Sequence, residues 1–217
     1  MNINYRVILE IRYNPNSKFT DNDFIGDVSN YLGSFGYQTN VGINCIDAIN
    51  PLTRDHINTD SIRLGVDFNM QKLETSGFNK YLDILVHISN MLDCNFLNRI
   101  GLRIVALNNY DSLKVASGKI SENLDIKNPN LNEIMSESEA CTLSFAIIKG
   151  SKRVKLSILP NQANVNFNGF ENQINTLNID IDVSETNISN TINLVESKYK
   201  EYFSIIKEYN GKLNNIF

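Results

Sequence analysis

The chain has 217 residues, of which 42% are hydrophobic and 20% are charged, and its formal net charge is −4. A hydrophobic fraction of this size excludes a largely disordered protein, and the acidic balance excludes overall attraction to nucleic-acid backbones. No uncharged apolar run in the sequence approaches the roughly 20 residues that a membrane-spanning helix needs.

The first 108 residues alternate between strand and helix patterns. Residues 4–13 alternate with period two, which predicts a strand with one buried face. In chain order we predict strand 4–13, helix 21–35, strand 37–46, a loop over 47–60, strand 61–68, helix 77–93 and strand 99–107. This β-α-β-β-α-β order predicts a ferredoxin-like fold, in which the first strand lies between the third and the fourth.

The second half of the chain is rich in strand patterns. A turn-rich stretch, 109–138, connects the halves and includes a predicted short helix near 130–137. Strands are then predicted at 141–148, 154–159, 163–167 and 176–183, and a final helix at 187–212. We therefore predict an α+β fold in which a ferredoxin-like half, 1–108, packs with an antiparallel meander and a C-terminal helix in 139–217.

Five arginines fall on the strand face that points away from the predicted helices, with Glu10 and Asp67 among them. They are Arg6, Arg12, Arg63, Arg99 and Arg103. Like charges on neighbouring strands repel, each close pair costing up to about 1 kcal/mol, so these arginines need counter-charges. Three kinds fit: internal carboxylates, an anionic ligand such as a nucleotide or an RNA backbone, or an acidic partner.

RNA is the least favoured of these ligands. A sheet that binds RNA bases usually presents exposed aromatic rings for stacking. The strand aromatics Tyr5, Tyr13 and Phe68 are predicted to point toward the helices instead.

Candidate catalytic and metal-binding residues are few. His56 follows Asp55 in a polar loop and could pair with it, and His87 lies at the edge of an apolar helical stripe. Neither accompanies a recognisable nucleophile motif, and Cys-x-x-Cys and HExxH patterns are missing from the sequence. Asp180 and Asp182 share a strand face but lack a third carboxylate in register for Mg²⁺. We therefore predict no catalytic residue, no metal and no cofactor.

The final helix carries Tyr199, Tyr202 and Phe203 in its apolar stripe. We predict that this stripe exceeds what the core can cover and is partly exposed. Exposed aromatic stripes commonly mark interfaces, so these residues predict a homo-oligomer or a bound protein partner.

Residues 99–103, RIGLR, follow an apolar helix at mid-chain. This arrangement resembles an uncharacterised, sporadically distributed family of bacterial proteins that shows "RIGLRY-N" there; this chain has Ile104 at the aromatic position and Asn108 as the displaced asparagine. The family also tends to end with a "D-D" strand and a helix with a late phenylalanine. The matching residues are Asp180, Asp182 and Phe203.

The resemblance implies a bacterial protein encoded alongside anti-phage or toxin–antitoxin genes, and it supplies no catalytic residues. Three widely spaced cysteines and a first segment without signal-peptide features predict a reduced, cytoplasmic location. The sequence thus predicts a non-catalytic cytoplasmic interaction module. The alternative is a sensor or enzyme that binds a nucleotide or another phosphorylated small molecule through the arginine face.

Overall fold

A computed structural model describes residues 4–94, 96–123, 141–167, 170–189 and 192–214. The strands in these ranges are β1 (Asn4–Tyr13), β2 (Gln38–Gly42), β3 (Cys45–Ile49), β4 (His56–Asp60), β5 (Arg63–Met70), β6 (Phe96–Tyr110), β7 (Leu143–Lys149), β8 (Lys152–Phe167) and β9 (Phe170–Ser189). The α-helices are α1 (Asn22–Ser34), α2 (Thr75–Leu92), α3 (Leu113–Asn123) and α4 (Ile192–Asn214). A single 3-10 turn, Ser17–Thr20, precedes α1 in the described ranges.

All nine described strands belong to one antiparallel sheet, in the order β2-β3-β4-β5-β1-β6-β9-β8-β7. The α+β class is confirmed, and the sheet is larger than predicted. β1 lies between β5 and β6, so the predicted neighbours of the first strand are correct. The C-terminal strands extend this sheet edge to edge, because β9 pairs along β6 from Phe96↔Ser189 to Tyr110↔Asn175.

The core lies on one face of the sheet, beneath the helices. A row of apolar residues, paired in register, crosses seven neighbouring strands, and every residue in the row is fully buried. The row consists of Ala48, Ile57, Val66, Leu9, Leu102, Val183 and Val154. Helices α2 and α4 meet above the sheet, where the rings of Phe78 and Phe203 stack with centroids 4.2 Å apart. No described helix combines the length and apolar character needed to cross a membrane.

The aromatic residues of the final helix lie inside this core. Tyr199, Tyr202 and Phe203 are 0%, 0% and 4% exposed. The prediction that they form a partly exposed interface is therefore wrong. These residues are buried because the sheet is larger than predicted. Its nine strands offer α4 a wider apolar surface than the smaller predicted sheets would.

The segment after α1 holds three short strands where one strand and a loop were predicted. Asn44, at φ 57, turns the chain between β2 and β3 in the left-handed conformation that asparagine tolerates. The β3–β4 turn is held by Asn50, whose side-chain oxygen accepts from the backbone N–H groups of Leu52 and Thr53. β4 then occupies residues that were predicted as loop.

Two further differences concern the second half. Helix α3 lies in the predicted connecting stretch, and the predicted helix at 130–137 falls outside the described residues. β8 is continuous through Pro160, where two strands were predicted. The β7–β8 ladder ends at Leu143↔Ile158, so among the described residues Pro160 has a strand neighbour on only one side, where a missing N–H is tolerated.

Candidate functional site

The face of the sheet opposite the helices, here called the open face, carries the side chains that alternate with the core residues. Strand register brings the five predicted arginines onto it. Arg12 lies opposite Arg63 on one neighbouring strand and opposite Arg99 on the other. The predicted placement of these residues is therefore confirmed, and their role in binding stays a prediction.

Each of these arginines is paired with a carboxylate of the same chain, in what we call the arginine–carboxylate network. Arg6 donates from Nε to Asp67 at 3.0 Å, and Arg103 donates from Nε to Asp180 at 2.9 Å. Arg63 lies 3.9 Å from Asp60. The remaining pairs of the network are Arg12 with Glu10 at 2.9 Å, Arg99 with Glu10 at 2.5 Å and Arg99 with Asp182 at 3.2 Å. Internal carboxylates thus supply the counter-charges.

Gly101 leaves room for the Arg99 guanidinium at the centre of this network. A Cβ atom at position 101 would lie only 3.0 Å from Cζ of Arg99. The guanidinium therefore lies across the Gly101 backbone, from which it reaches Glu10 on β1 and Asp182 on β9. The RIGLR residues and the two C-terminal aspartates, which are far apart in sequence, meet at this point.

Hydrogen bonding and burial set the charges of the network. The hydrogen bond to Asp67 raises the pKa of Arg6, and the hydrogen bond to Asp180 raises that of Arg103. Burial raises the pKa of Asp182, whereas the nearby charge of Arg99 acts to lower it. Arg6 and Arg103 are therefore firmly charged, and ionised Asp182 depends on Arg99 for compensation.

Two shallow depressions lie on either side of Glu10. One, of about 400 Å³, is lined by four of the five arginines together with Glu10 and Asp182; these arginines are Arg12, Arg63, Arg99 and Arg103. The other, of about 250 Å³, has Gly65 among its lining residues. Gly65 and Gly101 lie opposite Glu10 on the two neighbouring strands, so missing side chains create both depressions.

His56 borders the second depression but does not pair with Asp55. Its Nε2 lies 2.5 Å from Oδ1 of Asp47 on β3, and Asn58 donates to the same oxygen at 3.1 Å. Asp55 is buried on the helix side of the sheet, where it accepts hydrogen bonds from the hydroxyls of Thr53 and Tyr81. Successive residues of an extended chain point to opposite faces, which separates the two side chains.

The other candidate catalytic and metal-binding residues, His87, Asp180 and Asp182, each contact a side chain of a neighbouring helix or strand. His87 is exposed and stacks on Tyr31 of α1 at a centroid distance of 3.9 Å. Asp180 and Asp182 are engaged by Arg103 and Arg99. Within the ranges that the structure describes, no group of three or more histidine, cysteine or acidic side chains is arranged to hold a metal ion.

Two cations on the open face were not recognised in the sequence. Arg153 and Lys155 lie on β8 opposite Ser184 and Asp182 of β9, and both are exposed. Among the described residues, neither makes a side-chain hydrogen bond or an ion pair within 4 Å. The alternation of VKLSIL indicates that Lys155 points outward, but local sequence cannot reveal that β8 lies next to β9 and close to the network.

Comparison of the chain with protein-family models, with curated proteins and with solved structures found no match in any of the three.

Proposed function

We propose that this chain is a non-catalytic interaction module that binds an acidic protein surface on the open face of its sheet. The observation that carries this proposal is the pair of exposed cations, Arg153 and Lys155, beside a network whose own charges are already compensated. Carboxylates of a partner would meet these two cations first.

The shape and charge of the open face favour a protein over a small anion. A free anion in the centre of the face would compete with Glu10, Asp180 and Asp182 for their arginines. A protein surface can instead contact Arg153 and Lys155 while it leaves the arginine–carboxylate network intact. Rim charges of this kind contribute chiefly to association rate and to specificity, so binding is expected to weaken as salt is raised.

A pull-down from the source cells tests this proposal. We expect a protein that is retained by the wild type and lost when Arg153→Glu and Lys155→Glu are combined. Lys80→Glu is the matched control, since Lys80 is an exposed cation on α2, which lies over the other face. A partner that the double variant still retains at low salt would overturn the proposal.

A second candidate function rests on the depression lined by four arginines. Its volume of about 400 Å³ suits a nucleotide or another phosphorylated small molecule, and guanidinium groups bind phosphate in a bidentate manner. In this alternative the ligand replaces one or more internal carboxylates as the counter-charge.

A thermal-shift screen over nucleotides separates the two candidates. Binding in the depression predicts a rise of several degrees that disappears in Arg103→Ala. Arg6→Ala is the matched control, because Arg6 is likewise an exposed arginine paired with an aspartate but does not line this depression. No shift with any nucleotide favours the interaction module.

The proposed setting is the cytoplasm of a bacterium, near anti-phage or toxin–antitoxin genes. It is supported by the resemblance of RIGLR and the C-terminal aspartates to the bacterial family described above. Neighbouring genes that encode a nuclease, an ATPase or a toxin would support the setting, and neighbouring genes of metabolism would contradict it.

We also propose that β4, β5, β1 and β6 with α1 and α2 form a ferredoxin-like unit, with β2 and β3 as additions to it.

A further inference from the structure

The sheet ends in two edge strands of different character. β2, QTNVG, is short and mostly polar. β7, LSFAIIK, is apolar, and its Phe145 and Ile148 side chains are 49% and 72% exposed. Edge strands leave backbone N–H and C=O groups unpaired, and proteins commonly protect them with charges, proline or a covering segment.

β7 carries little of this protection. Its single charged residue is Lys149, at the end of the strand, and the ammonium group lies 3.5 Å from Glu208 of helix α4. The strand contains neither proline nor glycine. An exposed apolar edge of this kind is suited to pairing with another strand.

We propose that β7 pairs antiparallel with β7 of a second copy of this chain, about a twofold axis at Ala146. This self-association goes beyond the proposed function and does not depend on it. A twofold interface needs a surface that is complementary to itself. Ala146 is the middle residue of β7, so this register is the one that pairs the whole strand.

The register places compatible side chains opposite each other. Phe145 lies opposite Ile147 on the helix side, an aromatic and β-branched pair of the kind that stabilises neighbouring strands. Ser144 lies opposite Ile148 on the open face. Lys149 lies opposite Leu143, so like charges do not meet directly across the new ladder.

The cations of β8 do not oppose this pairing. Lys155 is in register with Ala146, so the two copies of Lys155 are separated by three strand spacings. This distance is about 14 Å, which exceeds the Debye length of about 8 Å at physiological salt. The two sheets can therefore join without bringing these lysines into repulsion.

Sedimentation equilibrium of the full chain tests the interface. We expect the wild type to form a concentration-dependent dimer and Ile148→Lys to be monomeric, since the new lysine adds a charge to the apolar edge. Ile43→Lys is the matched control, because Ile43 is 95% exposed at the turn between β2 and β3. A monomeric wild type, including one that captures a strand of another protein, would overturn the proposal, as would a dimer that persists in Ile148→Lys.

Oxidative crosslinking, read by mass spectrometry of the linked peptides, tests the register. Ala146→Cys is expected to form an intermolecular disulfide between its two copies, because directly opposed residues have Cα atoms about 4.5–5.5 Å apart. Ser144→Cys is the matched control. Its two copies would be offset by four residues, or about 14 Å, which is too far for a disulfide. Crosslinking at position 144 without crosslinking at 146 would overturn the register.

Discussion

Glu10 lies between Gly65 and Gly101, one on each neighbouring strand, and the two glycines differ in their surroundings. A Cβ atom at position 101 would press on the Arg99 guanidinium, whereas one at position 65 would meet nothing closer than 3.9 Å. We predict that the free energy of unfolding of Gly101→Ala is about 1 kcal/mol lower than that of Gly65→Ala, because the Arg99 guanidinium must shift from its position against Glu10 and Asp182. Urea unfolding followed by circular dichroism measures this change.

Gly65→Ala is the matched control for that substitution. It is expected to leave the free energy of unfolding unchanged or to raise it by up to about 1 kcal/mol, because alanine reduces the freedom of the unfolded chain. Equal destabilisation by the two substitutions would contradict the proposed role of Gly101.

At the scale of single residues, the sequence predicts the shared face of the arginines but not their partners. Alternation in β1 and in residues 99–107 of β6 places Arg6, Arg12, Arg99 and Arg103 opposite the core, and the structure agrees. The pairing of Arg103 with Asp180 depends on β9 being the neighbour of β6, which local periodicity does not encode. For the same reason the proximity of His56 and Asp47 was not predicted.

At the scale of elements, α4 is tied to β9 by Glu185. This carboxylate accepts hydrogen bonds from Lys198 at 2.6 Å and from the hydroxyl of Tyr202 at 3.0 Å, both on α4. Burial alone would raise the pKa of Glu185, but hydrogen bonds from Lys198, Ser151 and Tyr202 outweigh it and lower the pKa. The ionised form is therefore favoured in the folded chain.

The lowered pKa gives a pH-dependent contribution to stability. Glu185 in the folded chain binds its proton less readily than in the unfolded chain, so it stabilises the fold above the ordinary glutamate pKa of about 4.3. This contribution is lost as the pH falls through the lower pKa of the folded state. We predict that Glu185→Gln costs about 1 kcal/mol at neutral pH and progressively less in acid, as measured by urea unfolding across pH.

Glu196→Gln provides the control on the same helix. Glu196 forms an exposed i,i+4 pair with Lys200, which is worth about 0.5 kcal/mol or less. A loss at neutral pH as large as that of Glu185→Gln would show that the position of Glu185 has no special effect.

Whole elements were predicted where their periodicity is long and regular. β1, β5, β6, α1 and α2 all lie close to their predicted bounds. The strands β2, β3 and β4 have five residues each, too few for alternation to be distinguished from a polar loop. Helix α3 was missed because its buried residues, Ala116, Ser117 and Ile120, include only one large apolar side chain.

At the scale of the whole molecule, the two predicted halves share one sheet and one helical layer. We predict that the fragment 1–110 does not unfold cooperatively, because β6 loses its pairing with β9 and Phe78 loses its stacking with Phe203. The full chain is expected to unfold in one transition. Urea titration followed by circular dichroism measures both, and a sharp transition in the fragment would contradict the prediction.

The continuity of the sheet could not be predicted from the sequence. An apolar–polar alternation such as that of TLNIDIDV is the same whether the strand extends an existing sheet or belongs to a second one. The outcome is decided by the long-range pairing of β9 with β6, and that pairing also covers the aromatic stripe of α4. The size of the core follows from this pairing, and the burial of Tyr199, Tyr202 and Phe203 follows from the packing of α4 on β9, β6 and α2.

The packing of α4 beside β1 has a consequence for synthesis on the ribosome. Asn210 donates a hydrogen bond to the hydroxyl of Tyr5, 205 residues earlier in the chain, at 3.4 Å. Translation therefore delivers the first strand long before the helix that covers it. Until this helix has been synthesised and has left the exit tunnel, the nascent polypeptide exposes apolar surface of the kind that chaperones near the tunnel bind.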